Sequence, residues 1–137
     1  MKKILIILSI MLMSISTLNA NQGYALKHAN PMPNLMRIAI GNADILNINK
    51  TQKAELKAWG KANKPVMKEM IKSVMKEEKE LNQAALTSGE NLQKIADSIL
   101  STRGKIITMK MNCLANLKKV LTPKQFSQVV KIYKSSK

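Results

Sequence analysis

The sequence predicts an all-α protein, a long antiparallel helical hairpin with short flanking helices. Three observations carry this. Apolar residues recur at steps of three and four along two long stretches, which places them on one face of a helix, and Thr87-Ser88-Gly89-Glu90 separates the stretches. Aromatic residues make up 3% of the 137 residues and glycines number five, a composition that argues against a β-sandwich or barrel. There is one cysteine, so a disulfide scaffold is excluded. The length suits one domain and leaves no room for a large α/β enzyme.

The chain divides into residues 1–20, 21–33 and 34–137. Lys2 and Lys3 precede an apolar run, Ile4 to Ile15, that ends in Ser16-Thr17-Leu18-Asn19-Ala20. A positive start, a short apolar run and a small residue at the cut are the marks of a secretory signal peptide; a spanning helix needs about 20 apolar residues. Cleavage is expected after Ala20, with Ala25 as the alternative. The destination is the bacterial periplasm, with no stable membrane insertion after cleavage. Residues 21–33 hold Gly23, Pro31 and Pro33 and read as a flexible arm.

Asn34 is placed to cap a short helix from Leu35 to Ile40, which Gly41-Asn42 ends. Asn49 opens the first long helix, with Gln52 three residues on as its capping-box partner. Leu56, Trp59, Val66, Met67, Met70, Ile71, Val74, Leu81 and Ala85 form its apolar stripe. Lys57, Lys61, Lys64, Lys68, Lys72, Lys76 and Lys79 line much of the other face. Pro65 predicts a kink near residues 63–65 rather than a stop, because the periodicity continues on both sides. Thr87 and Glu90 have capping-box spacing, and a second long helix follows from Asn91 to Val120. Its stripe is Leu92, Ile95, Ile99, Ile106, Met109 (or Ile107), Cys113, Leu117 and Val120. Thr122, Pro123 and Gln125 then supply a cap, a favoured first helical residue and a box partner for a last helix to about Lys134. Glu77, Glu78 and Glu80 read as a solvated surface paired with neighbouring lysines. The first long helix would extend about 57 Å at 1.5 Å per residue. So thin a hairpin leaves apolar surface for a second copy or a client to cover.

Two segments carry a family resemblance. Leu121-Thr122-Pro123-Lys124-Gln125 matches the LTxxQ motif of the Spy/CpxP family of periplasmic proteins. Ile48-Asn49-Lys50-Thr51-Gln52 resembles a first copy, with Asn as an equivalent cap. The resemblance implies an all-α hairpin that dimerises into a curved shell. It further implies an ATP-independent chaperone or envelope-stress role, other members being connected with heavy-metal sensing or resistance.

Lys and Arg number 23 against 8 Asp and Glu, a net charge of +15. Nucleic acid is not the expected partner, because export removes the chain from it and the aromatics are too few and scattered to stack bases. Unfolded or misfolded envelope proteins are, together with a second copy in a homodimer. Methionine is flexible and polarizable and suits promiscuous apolar contact, and interleaved lysines draw acidic clients. The client surface is expected at Met67, Lys68, Met70, Ile71, Lys72, Val74 and Met75. The motif residues Asn49, Gln52, Thr122, Pro123 and Gln125 read as caps. No catalytic set is present: there is no Gly-rich phosphate loop, no paired-carboxylate motif and no third group to orient a Cys–His pair. No cofactor is expected on the leading reading.

The alternative functions are a copper-type or other soft-metal binder in metal resistance or sensing, and a regulator of an envelope stress sensor. His28, Met32, Met36, Met109 and Cys113 are the metal candidates. Met109 and Cys113 share a helix face, and soft sulfur suits Cu(I); zinc needs more nitrogen or thiolate. Cys113 is otherwise a buried inert thiol or a bridge between two subunits.

Overall fold

The computed structural model describes residues 32–136. Among them are four helices: α1 (Leu35–Gly41), α2 (Lys50–Ala85), α3 (Leu92–Val120) and α4 (Pro123–Ser135). The long helices α2 and α3 pack antiparallel. Gln52 reaches Val120 at one end, Ile71 and Val74 meet Ile106 in the middle, and Glu77 meets Ser98 towards the turn. The short helices α1 and α4 pack on each other and on the open end of this hairpin.

The helix starts follow from capping chemistry. The Asn49 side chain accepts from the Gln52 backbone N–H at 2.9 Å, and the Gln52 side chain accepts from the Asn49 N–H at 3.1 Å. Thr122 and Gln125 repeat this at the start of α4, at 3.2 and 3.0 Å. Each pair satisfies two N–H groups that a helix start leaves without partners. Asn34 caps α1 more weakly, at 3.4 Å from the Arg37 N–H. Helix α2 runs through Pro65 without a break, so the proline interrupts one hydrogen bond and not the helix.

The turn at 86–91 differs from the expected capping box. Thr87 does not start α3. Its hydroxyl donates to the Gln83 carbonyl at 2.9 Å and so closes the end of α2. Glu90 donates its N–H to the Ser88 hydroxyl, and Asn91, the residue before α3, has φ 59° and makes no side-chain cap. Gly89, at φ 70°, takes the left-handed step that carries the chain out of α2, and its N–H donates to the Ala84 carbonyl at 2.9 Å. A three-residue spacing does not distinguish a helix start from a helix end, because a threonine hydroxyl can also donate to a carbonyl four residues back.

Burial concentrates at the open end. Leu46, Leu56, Leu117 and Val129 are fully buried there, with Met36, Ala39 and Cys113 beside them. A smaller cluster of Ile71, Val74 and Ile106 holds the middle of the hairpin. Each long helix has one long neighbour, so each buries only a narrow strip. Val66, expected in the stripe, is 51% exposed for this reason, and Leu86 and Leu100 stand out near the turn. There polar groups link the helices. Arg103 pairs with Glu78, and Glu77 accepts from Ser98 at 2.8 Å. Glu77 and Glu78 therefore tie the two helices together across the hairpin, while Glu80 has the expected kind of partner, Lys76 at 3.5 Å.

Candidate functional site

The two motif copies meet. The Gln52 amide donates to the Gln125 side-chain oxygen at 2.9 Å, and the Gln125 amide lies 3.2 Å from the Gln52 oxygen. Gln52 also donates to the Val120 carbonyl at 2.9 Å. Gln125, the one buried polar residue of the described core, donates to the Asn47 carbonyl at 2.9 Å and lies 3.3 Å from that of Leu46. Asn47 has φ 50°, a left-handed conformation that asparagine tolerates better than most residues. Each glutamine thus closes its own capping box and clasps the other. The clasp fastens the start of α2, the end of α3, the start of α4 and the loop after α1 at one point. Its groups are amides held by one another, so it is a fastening with no free nucleophile or base.

Beside this fastened end lies an open groove of about 690 Å³ between α1, α2 and α3. Met36, Ile40, Trp59, Met67, Ile71, Met109 and Cys113 provide its apolar lining. Among the described residues, Arg37, Lys64, Lys68 and Lys110 are its charged residues, and no carboxylate lines it. Among the described residues none of these four cations makes an ion pair. The sequence explains the one-sided charge: no acidic residue occurs before Asp44 or after Asp97, which leaves Arg37 and Lys110 without acidic neighbours, and Lys64 and Lys68 belong to the acid-free stretch 56–68. Lys64 and Lys68 are one turn apart on α2, on one face with Met67. Gly60 adds to the width, because a Cβ built there would meet nothing within 4 Å.

The expected client residues divide. Met67, Lys68 and Ile71 line the groove. Val74 is 0% exposed and Ile71 9% exposed. Val74 therefore presents no surface, and Ile71 contributes only an edge. Both are spent on the middle cluster that they form with Ile106, and Met67, Met70 and Met75 pack against that cluster. Lys72 is exposed and pairs with Glu69 at 2.9 Å. A stripe at helical spacing holds core and surface residues alike, and only the partner helix separates them.

The metal candidates divide as well. His28 lies outside the described residues. Met36, Met109 and Cys113 share the groove lining, and Met32, Met36 and Cys113 surround a smaller cavity next to it. Met67 is a further sulfur in the groove that the metal reading omitted. Among the described residues no three His, Cys, Asp or Glu side chains lie together as a metal group, so any donor set there is mainly thioether. Burial pushes the Cys113 thiol above its ordinary pKa, and the nearby Lys110 ammonium opposes this in part.

Arg37, Ile40, Trp59, Gly60, Lys64 and Lys110 belong to the groove without having been marked as site residues by their sequence context. The groove forms because α1 folds back over the hairpin, a tertiary arrangement that periodicity along one helix does not carry. A usable signal was the charge: Arg37, Lys64, Lys68 and Lys110 all sit next to apolar residues in stretches with few or no acids.

No helix among the described residues is long and apolar enough to cross a membrane. A family model described as LTXXQ motif family protein matches residues 42–133. No curated protein and no solved structure matches the chain.

Proposed function

Because the chain belongs to the LTXXQ motif family, the Spy/CpxP type associated with periplasmic stress, we propose that it is a periplasmic, ATP-independent chaperone that binds non-native envelope proteins and limits their aggregation. The observation that supports this is the groove. An apolar trough edged by four cations that have no ion pair among the described residues attracts unfolded chains by charge and holds their apolar side chains by burial. Methionines along it repack around different partners. The fastened end beside the groove keeps the frame rigid while these side chains adapt. A second copy in a homodimer would extend the surface.

The test is the aggregation of a chemically unfolded client followed by light scattering, with the protein at near-equal molar ratio and no ATP. Suppression that survives a chelator and weakens as salt is added supports the reading, since exposed charges are screened over about 8–10 Å at 0.1–0.15 M salt. No suppression refutes it.

A second reading has its own observation, the sulfur atoms of Met36, Met109 and Cys113 along one groove. Thioethers with one thiol suit Cu(I) and do not suit zinc, so these residues would hold a soft cation in a resistance or sensing role. Metal titration of the protein beside Cys113→Ser and Met109→Leu tests it; unchanged stoichiometry in both removes it.

A further inference from the structure

The charge around the groove also restricts a smaller occupant. Arg37, Lys64, Lys68 and Lys110 surround one apolar trough with no carboxylate among them, so an anion placed there meets attraction from several sides. The volume of about 690 Å³ falls in the ~300–1,000 Å³ range of small-ligand sites. Residues 21–31, which follow the expected cleavage, carry Lys27 and no acid, so they bring no counter-charge to the groove. A second copy brings the same net +15. An unfolded client can keep its backbone N–H and C=O groups in water at the open rim while its side chains enter, since burying those groups against a lining that is mostly hydrocarbon and sulfur costs free energy. An alkyl chain has no such groups.

We propose that the groove binds a free long-chain alkyl carboxylate. The alkyl chain lies on Trp59 and Met67, and the carboxylate sits among the ammonium and guanidinium groups, whose own aliphatic stems extend the apolar surface. This goes beyond the chaperone reading and does not depend on it.

Trp59 is the single tryptophan and reports directly on the groove. The experiment titrates the purified protein with dodecanoate below its micelle-forming concentration and follows Trp59 emission. The expected result is a saturable blue shift with one site per chain, absent with dodecyltrimethylammonium and weak with dodecyl maltoside. Lys64→Gln/Lys68→Gln should weaken dodecanoate by about threefold to tenfold, as expected for removing two partly exposed charge contacts. Gly60→Leu should abolish the shift while circular dichroism and Tm show an intact fold, because the backbone there is helical and a Cβ at that position meets nothing within 4 Å. No saturable shift, equal binding of the cationic amphiphile, or unaltered binding by folded Gly60→Leu each overturns the proposal. Aggregation suppression without dodecanoate binding overturns this proposal alone; dodecanoate binding without suppression overturns the chaperone reading alone.

Discussion

Removing one glutamine should loosen the whole open end of the hairpin. In Gln125→Ala the lost side chain leaves four partners: the Thr122 N–H, the Gln52 amide, and the carbonyls of Asn47 and Leu46. Asn47 and Thr122 are exposed, so water replaces what they lose. The Leu46 carbonyl and the Gln52 amide are more enclosed, and each such loss costs about 1–1.5 kcal/mol. With the packing of a side chain only 9% exposed the total is about 2–4 kcal/mol, or on the order of 10–20 °C in Tm for a domain near this size. Urea unfolding followed by circular dichroism measures it. A Gln52→Ala/Gln125→Ala cycle should return a coupling of about 1 kcal/mol, since the two side chains bond each other. Gln125→Glu adds a pH arm. Its carboxylate can accept from Thr122 but cannot donate to the Asn47 and Leu46 carbonyls, so the folded state favours the protonated acid. The raised folded pKa means that the penalty is absent below the unfolded value of about 4.3 and grows as pH rises through it. A loss under about 0.5 kcal/mol for Gln125→Ala, with no coupling to Gln52, would refute the clasp.

Other outcomes follow from the same packing. Ile106→Ala should cost about 2–5 kcal/mol, because Ile106 is fully buried and joins Ile71 and Val74 in the middle cluster; a loss below 1 kcal/mol by urea unfolding would place that cluster in solvent. Gly104→Ala should stabilise α3 by about 0.5–1 kcal/mol, since a Cβ there meets nothing within 4 Å; a fall in Tm would show a neighbour at that position. Cys113 should react with iodoacetamide at neutral pH far more slowly in the folded protein than in urea, because it is 8% exposed and its thiol ionises above the usual range. Equal rates would refute its burial. The same shift makes stability fall as pH rises past the ordinary thiol range, where the unfolded chain's thiol ionises first.

How far the sequence determined these features depends on the range of the physics involved. Asn49–Gln52 and Thr122–Gln125 are legible as caps because the chemistry acts within four residues. Leu56, Ile99, Ile106, Cys113 and Leu117 are legible as core because helical spacing aligns them. Val66 is not, for the stripe on α2 is wider than the strip that one antiparallel neighbour covers. Thr87 is misread because its hydroxyl can serve either end of a helix. Glu77 and Glu78 are misread because neighbouring lysines satisfy a local pairing rule, while Ser98 and Arg103 arrive from a helix more than 20 residues away.

The spacing of the motif copies has a consequence that neither copy shows alone. Gln52 and Gln125 are 73 positions apart, and they meet only because α2 and α3 return the chain to its starting point. Had α2 and α3 been shortened or lengthened unequally, the two capping boxes would still form, since each needs only its own four residues. The clasp would not. Deleting one turn of α3 near Ser101–Gly104, leaving α2 whole, should therefore keep both caps and helical content while removing most of the stability that Gln52 and Gln125 share. In that variant Gln125→Ala should cost less than about half of what it costs in the parent, because the Gln52 partner is already lost. An unchanged cost would mean that Gln125 acts on the loop after α1 alone, and that the meeting of the two motifs adds nothing to the fold.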